Sequence, residues 1–326
     1  MRRLLAATAA LALATTLAAC GGDGGSSDNS SSGSGSQEMR SIKVGAIPIV
    51  DVAPIYLGVE QGFFKSRNID VKIVQTTGGA AAVPGVVAGD FQFAFANITS
   101  VLLAQSTGLP LKVVASGNAS TGDEKADFAG IVVPPGSSIT SAKGLEGHTV
   151  AVNNLKNIGE VSIRAAIEKD GGDPDKVKFV ELPFPDMPAA LAGGQVEAAW
   201  LVEPFFTVAK QAGNTLISSN LAVTAPDMTI GTYFTTEQQI AEDKSLTDDF
   251  TAAIQESLKY AQDNPDEVRR ILLTYTQIKP EVADAITLPA FPTEINRNSV
   301  QTIADLMVTY GMAEKAPDVD AVLPAN

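Results

Sequence analysis

The sequence predicts an α/β protein built from two similar units. Short β-branched and aromatic runs alternate with helix-like segments over residues 42–100. This alternation is typical of a parallel sheet that crossover helices cover on both faces. The same alternation begins again beyond the Pro-Pro-Gly turn at 134–136. A later extended run, MTIGTYF at 228–234, predicts a strand that returns to the first unit.

The first twenty residues have the composition of a targeting signal. Two arginines precede an apolar run over 4–17, which is too short to span a membrane as a stable helix. The following Leu-Ala-Ala-Cys resembles the bacterial lipobox, so we predict a lipoprotein signal peptide over 1–20 with Cys20 as the lipidated residue. The alternative is an ordinary signal peptide that contains a chance cysteine. Residues 21–40 are rich in Gly and Ser and predict a flexible tether.

The elements of the first unit follow from local signals along the chain. Strands are predicted over 42–47, 69–74, 91–95 and 111–115, and helices over 54–64, 80–88 and 101–106. Pro54 is compatible with its helix because it falls in the first turn. Pro84 lies inside the second helical run and predicts a late start or a kink there.

The second unit and the C-terminal part follow in the same way. Further strands are predicted over 128–133, 149–152, 177–180 and 196–201, and helices near 141–145 and over 159–169, 186–192 and 204–212. Apolar residues at helical spacing over 250–261 and 300–310 predict C-terminal helices, with another over 266–275 after Asn264-Pro265. We therefore predict lobe I over 41–128 plus 229–326 and lobe II over 129–228. Two extended crossings near 128–133 and 228–234 would form a hinge.

Composition argues against several classes of function. The formal net charge of -14 disfavours nucleic acid as a partner. Cys20 is the only cysteine and His148 the only histidine, so a disulfide or a cysteine-based metal cluster cannot form within the chain. The sequence lacks a phosphate-binding loop, zinc-ligand spacing and a nucleophile elbow. We therefore predict no enzymatic activity, no catalytic residues, no cofactor and no metal.

Five stretches resemble a known family in their order and spacing. They are VGAIPIVDVAPIYLGVEQGFF, NIDVKIVQTTGGAAA, VAGDFQFAFANITSVLLA, AKGLEG and AAWLVEPFF. Together they resemble the nitrate, sulfonate and taurine family of ABC-importer solute-binding proteins. The resemblance implies a type II periplasmic-binding-protein fold, in which a two-strand hinge joins two α/β lobes around a small-molecule solute. It also implies a membrane permease with its ATPase subunits as partners.

The sequence therefore predicts the extracytoplasmic solute-binding component of an ABC importer. We expect a monomer that an N-terminal lipid holds at the outer face of the cell membrane. The resemblance favours a small organic anion such as a sulfonate, a taurine-like compound or a carboxylate. Against a sulfonate or nitrate, residues 153–159 read NNLKNIG where sulfonate-type relatives often have Gly-Ser-Thr. The alternatives are a thiamine-type pyrimidine precursor or another neutral or cationic ring, an enzyme on the same two-lobe fold, and a solute-sensing receptor domain.

Turns at the carboxyl ends of the predicted strands supply the candidate ligand-binding residues, since ligands of such sheets bind there. The candidates of the first unit are Pro48, Asp51, Thr77, Gly78, Asn97 and Thr99. Those of the second unit are Asn154, Asn157, Met187, Trp200 and Glu203. Several of them also have structural alternatives. Asp51 and Glu203 suit helix caps, and Met187 and Trp200 suit the hydrophobic core.

Overall fold

Two five-stranded sheets form the centre of residues 38–325, the part of the chain that the computed structural model describes. The predicted signal peptide, the lipidation site Cys20 and most of the tether lie outside the described residues. The strands are β1 (Arg40–Ala46), β2 (Ile69–Gln75), β3 (Phe93–Asn97), β4 (Leu111–Ala119), β5 (Ala129–Val133), β6 (Thr149–Val152), β7 (Lys178–Glu181), β8 (Ala198–Val202), β9 (Thr215–Ser218) and β10 (Thr229–Thr236).

Helices connect and cover these strands. They are α1 (Ala53–Glu60), α2 (Gly79–Val87), α3 (Ile98–Ser106), α4 (Ile158–Lys169), α5 (Met187–Ala192), α6 (Phe205–Gln211), α7 (Asn220–Thr224), α8 (Glu237–Glu242), α9 (Lys244–Asp263), α10 (Pro265–Tyr275), α11 (Pro280–Ala285), α12 (Arg297–Thr309) and α13 (Val319–Val322). None of the helices in the described region is long and apolar enough to cross a membrane.

The first sheet has the strand order β2-β1-β3-β10-β4, and the second has the order β7-β6-β8-β5-β9. The expected α/β fold and the return of β10 to the first sheet are confirmed. The parallel pairing expected from the alternation holds for β1 with β2 and β3 and for β6 with β7 and β8. Each sheet also contains one strand that the chain reaches by crossing from the other sheet. Thus β10 runs antiparallel to β3 and β4, and β5 runs antiparallel to β8 and β9.

The two crossings between the sheets lie earlier in the chain than expected and overlap the expected ranges only at residues 128 and 228. Residues 129–133 and 229–236 are paired within the sheets, so the chain crosses over 120–128 and returns over 225–228. The two crossings are in contact, since the backbone N–H of Ser120 donates to the carbonyl of Met228 at 2.9 Å. The structure thus brings the two connecting segments side by side.

Local differences from the predicted elements have simple causes. The edge strand β9 was not predicted, because its four-residue run TLIS is short and only partly buried. The prediction that α2 starts late is wrong, since that helix begins at Gly79 and includes Pro84. The helix expected near 141–145 is a single 3₁₀ turn, Lys143–Leu145.

Aromatic packing fixes the strands that carry the candidate site. Phe93 of β3 stacks on Phe250 of α9 with ring centroids 3.9 Å apart, and Phe95 meets Tyr233 edge to face at 5.4 Å. In the second sheet, a Cβ at Gly159 of α4 would lie 2.5 Å from Cε3 of Trp200. Because Gly159 has no side chain, the backbone at the start of α4 packs directly against the indole of Trp200.

Candidate functional site

The turn before α4 contacts the turn after β3 through the side chain of Asn157. Its Oδ1 accepts hydrogen bonds from Asn97 Nδ2 at 2.9 Å, from Thr99 Oγ1 at 3.1 Å and from the backbone N–H of Ile158 at 2.8 Å. Its Nδ2 donates to Ser100 Oγ at 2.7 Å. Asn157 therefore caps α4 and joins the two sheets at the same time. Its amide oxygen has no free lone pair left for a solute.

A second contact between the sheets forms where β2 leads into α2. Gly78 has φ +144°, and a Cβ there would overlap Oδ1 of Asn154 and lie 3.3 Å from Nδ2 of Asn153. Glycine serves here for two reasons, because the backbone conformation is unfavourable for other residues and the opposite turn leaves no room for a side chain. The turns of both sheets therefore meet at close range.

A small inner cavity lies between these turns. Its lining includes Asp51, Phe95, Asn153, Phe184 and Trp200. Its volume is about 10 Å³, which is about the space that one water molecule needs. Three buried polar atoms on its lining residues, Asp51 Oδ2, Asn153 Oδ1 and Trp200 Nε1, have no hydrogen-bond partner within residues 38–325. Such groups are costly to bury unpaired, so these three atoms can accept or donate a hydrogen bond inside the cavity.

Asp51 is the ionisable residue of the inner cavity. Its carboxylate is buried, and Oδ1 accepts a hydrogen bond from Asn118 Nδ2 at 2.9 Å. Burial raises the pKa of Asp51 to about 7, and the nearby Asp127 carboxylate adds to the rise. Its side chain does not cap the 3₁₀ turn Val50–Val52 or α1, for which Ile49 and Val52 are the capping positions. Asp51 thus lies at the cavity with one oxygen unpaired.

An outer pocket adjoins the inner cavity. It has a volume of about 280 Å³, and its walls come from both sheets: Ile47, Pro48, Ile49, Gln75, Thr76, Thr77, Pro183, Phe184, Pro185 and Phe205. Phe184 lines both spaces, with its ring centroid 5.8 Å from that of Trp200 and 6.0 Å from that of Phe205. The three rings form a row that leads from the inner cavity outwards.

Larger depressions occur elsewhere on the surface. Two of them, of about 410 and 470 Å³, lie beside β4, α9 and the C-terminal residues 323–325. Their walls come from elements around the first sheet, and they share no lining residue with the inner cavity or the outer pocket. We place the candidate site between the sheets because the strand-end turns of both sheets build it.

The comparisons with known proteins agree with this geometry. Residues 49–268 match the family model described as NMT1/THI5 like. The chain belongs to the NMT1/THI5-like family. Over 68% of its length it is 23% identical to the formylaminopyrimidine-binding protein of Halalkalibacterium halodurans, and the aligned part spans 65% of that relative, just under two thirds.

Solved structures show the fold of this NMT1/THI5-like protein. The ligand-binding component of an ABC-type import system from Staphylococcus aureus superposes with a TM-score of 0.76 at 15% identity, over 87% of this chain and 96% of that one. The alkanesulfonate-binding protein of Xanthomonas axonopodis pv. citri superposes with a TM-score of 0.73 at 16% identity, over 88% and 99%. The fold is therefore the periplasmic-binding-protein fold, as the sequence predicted.

The structure brings nine of the eleven candidates of this family member to the meeting point of the sheets. Four of them line the inner cavity, namely Asp51, Gly78, Asn97 and Trp200. Two line the outer pocket, namely Pro48 and Thr77. The other three, Thr99, Asn154 and Asn157, lie where the two sheets contact each other. Sequence reasoning did not select Phe95 or Asn153, although Phe95 ends the apolar run FQFAF and Asn153 directly follows β6.

Two candidates line neither space. Met187 is buried and is not among their lining residues. Glu203 is also buried, with Oε1 accepting from Thr207 Oγ1 at 2.7 Å and from the backbone N–H of Thr287 at 3.2 Å. Its Oε2 accepts from the backbone N–H of Thr207 at 3.0 Å. These contacts are those of the capping alternative for Glu203, and burial raises the pKa of this carboxyl.

The charges around the site limit what it can bind. Among the described residues that line the inner cavity and the outer pocket, none is Lys, Arg or His, and Asp51 is the one acidic residue. Within the same described range, no group of three or more His, Cys, Asp or Glu side chains has the arrangement of a metal site. The arrangement can therefore hold a small molecule by hydrogen bonds and aromatic contact.

Proposed function

We propose that this protein is the extracytoplasmic solute-binding component of an ABC importer, which captures a small molecule between its two sheets and delivers it to a membrane permease. Membership of the NMT1/THI5-like family and the periplasmic-binding-protein fold support this proposal. The names of two similar proteins also support it, since one is a ligand-binding component of an ABC-type import system and another binds a formylaminopyrimidine.

The observation that carries the proposal is the set of unpaired buried atoms between the sheets. Asp51 Oδ2, Asn153 Oδ1 and Trp200 Nε1 lie on residues that line one cavity. Leaving such groups unpaired costs about 1–3 kcal/mol each. A solute that satisfies them repays this cost, so the site is suited to capture by complementary hydrogen bonds.

These atoms favour a flat heterocycle that is rich in N–H groups and is neutral or cationic, such as an aminopyrimidine. The carboxylate and amide oxygens accept hydrogen bonds, whereas the indole N–H donates one to a ring nitrogen or carbonyl. The faces of Phe184 and Trp200 offer aromatic contact to such a ring. The organic anion expected from the resemblance has less support, because it would face Asp51 without a basic residue among the described lining residues.

Binding requires the two sheets to move apart and close again. The inner cavity holds about one water, so a ring can enter only when the turns around Gly78 and Asn157 separate. We assign this motion to lobe I (41–128 plus 229–326) and lobe II (129–228), with the paired crossings as the hinge. The solute drives closure to the extent that it binds the closed form more tightly than the open one.

The remaining parts of the proposal concern the location and the state of the protein. We assign the lipid anchor to Cys20, the tether to residues 21–40 and the working form to a monomer at the outer face of the cell membrane. The composition of the N-terminal segment supports this assignment. The role that we propose for the protein is solute capture and not catalysis, because the residues of the cavity are suited to hydrogen bonding with a solute.

A thermal-shift screen tests the solute class. The panel contains 2,4-diaminopyrimidine and 4-amino-5-hydroxymethyl-2-methylpyrimidine, with taurine, nitrate and benzoate as the anionic counterparts. We expect at least one aminopyrimidine to raise the melting temperature, because a ligand that binds only the folded state stabilises it. Trp200 is the only tryptophan and lines the cavity, so its fluorescence should change in the same titration. Stabilisation by the anions alone would contradict the proposed class.

A further inference from the structure

The outer pocket differs in chemistry from the inner cavity that it adjoins. Three prolines and two phenylalanines form much of its wall, namely Pro48, Pro183, Pro185, Phe184 and Phe205. The described residues that line it include no charged side chain. Its volume of about 280 Å³ is far larger than that of the inner cavity and close to the lower end of the range for small-molecule sites.

The inner cavity and the outer pocket share part of their walls. Ile47, Ile49 and Phe184 line the inner cavity and also the outer pocket. A solute that places a ring beside Trp200 therefore has its remaining atoms directed past Phe184. The adjoining ring of Phe205 lies nearly parallel to that of Phe184, at an interplanar angle of 15°. Apolar surface is thus available where a substituent of the solute would emerge.

The outer pocket also offers uncharged polar groups, which belong to Gln75, Thr76 and Thr77. Thr76 Oγ1 is buried and has no partner in the described part of the chain, and Thr76 lines this pocket. Uncharged polar groups among apolar walls suit an uncharged part of a solute and do not suit an ionised one, whose desolvation would remain uncompensated. Phe184 and Phe205 suit a flat ring because aromatic faces attract one another in offset stacking.

We propose that the outer pocket is a second subsite that binds an uncharged aromatic substituent of the solute. This inference rests on the proposed function. It divides the solute into two parts: a hydrogen-bonding head that pairs with Asp51 and Trp200, and an apolar ring that packs against Phe184 and Phe205. The preferred solute is therefore a heterocycle that carries an aryl group, not the bare heterocycle.

A matched pair of compounds tests the subsite. The probes are 2,4-diaminopyrimidine and 5-benzyl-2,4-diaminopyrimidine, titrated calorimetrically into the protein at one pH. Because burying a phenyl-sized group strengthens binding through the hydrophobic effect, we expect the benzyl compound to bind about tenfold to a hundredfold more tightly. The readout is the ratio of the two dissociation constants.

A variant that fills the outer pocket tests whether the tighter binding of the benzyl compound arises there. Thr77 is exposed and lines this pocket, so Thr77→Phe places a ring where the benzyl group would lie. We expect the advantage of the benzyl compound to be lost in this variant. Thr302→Phe is the control because Thr302 is an exposed threonine on α12 that does not line either space. It should retain the advantage.

The outcomes separate the inference from the proposed function. If the parent compound binds and the benzyl compound binds equally well, the subsite is refuted while the solute class stands. An advantage that persists in Thr77→Phe likewise refutes the subsite. If neither compound binds the wild-type protein, the aminopyrimidine assignment fails and the subsite fails with it.

Discussion

Replacement of Asp51 by asparagine tests the electrostatics of the inner cavity. Burial raises the pKa of Asp51 from 3.8 to about 7 in the folded protein. Between these values the folded protein holds a proton that the unfolded chain has released. The contribution of Asp51 to the free energy of unfolding is therefore largest at acidic pH. It decreases as the pH rises from about 4 to about 7 and stays low above that range.

The size of the effect follows from the shift. A rise of about three pKa units corresponds to roughly 4 kcal/mol of stability lost across the window. Asp51→Asn does not titrate, and it keeps the Oδ1 that accepts from Asn118. We therefore expect the variant to gain roughly 4 kcal/mol relative to wild type on going from about pH 4 to about pH 8.

The assay is urea unfolding of both proteins, followed by the fluorescence of Trp200 at several pH values. The difference between the two unfolding free energies removes the titrations that the proteins share. The exposed Asp305→Asn variant is the matched control. If the difference between wild type and Asp51→Asn does not change between pH 4 and pH 8, the reasoning about burial is refuted.

Three further changes test the contacts and the anchor. Asn157→Ala removes three hydrogen bonds between the sheets, so the closed form should lose roughly 3 kcal/mol. X-ray scattering should then show a larger radius of gyration, and an unchanged radius would contradict this. Gly78→Ala should weaken solute binding more than Gly89→Ala, since both glycines have positive φ but only Gly78 lacks room for a Cβ; equal effects would argue against the close contact. Cys20→Ala should move the protein from the membrane to the medium, and continued membrane retention would count against lipidation.

Local patterns were sufficient for much of the fold. The β-branched runs that became β1, β2 and β6 carry their own signal, because such side chains favour a pleated and buried surface. The segments after these strands also indicated the site, since Asp51 lies a few residues beyond β1 and Gly78 a few residues beyond β2. These predictions needed only the residue types and their order along the chain.

Contacts between distant residues could not be predicted in this way. The partner of Asp51 is Asn118, 67 residues away, and Glu203 accepts from Thr287, 84 residues away. Nothing in the local sequence distinguishes an asparagine that binds solute from one that joins two turns, so the role of Asn157 became visible only in the structure. The antiparallel insertion of β10 likewise depends on the path of the whole chain.

The most direct test of solute capture between the sheets is a fluorescence titration of residues 38–326 with 2,4-diaminopyrimidine, in wild type and in Asp51→Asn. Trp200 reports occupancy of the cavity in both proteins. At pH 8, where Asp51 is ionised, the account predicts a saturable change in wild type and binding at least about tenfold weaker in the variant, because a hydrogen bond to a charged group is lost. No saturable change in wild type, or equal affinity in both proteins, would contradict it.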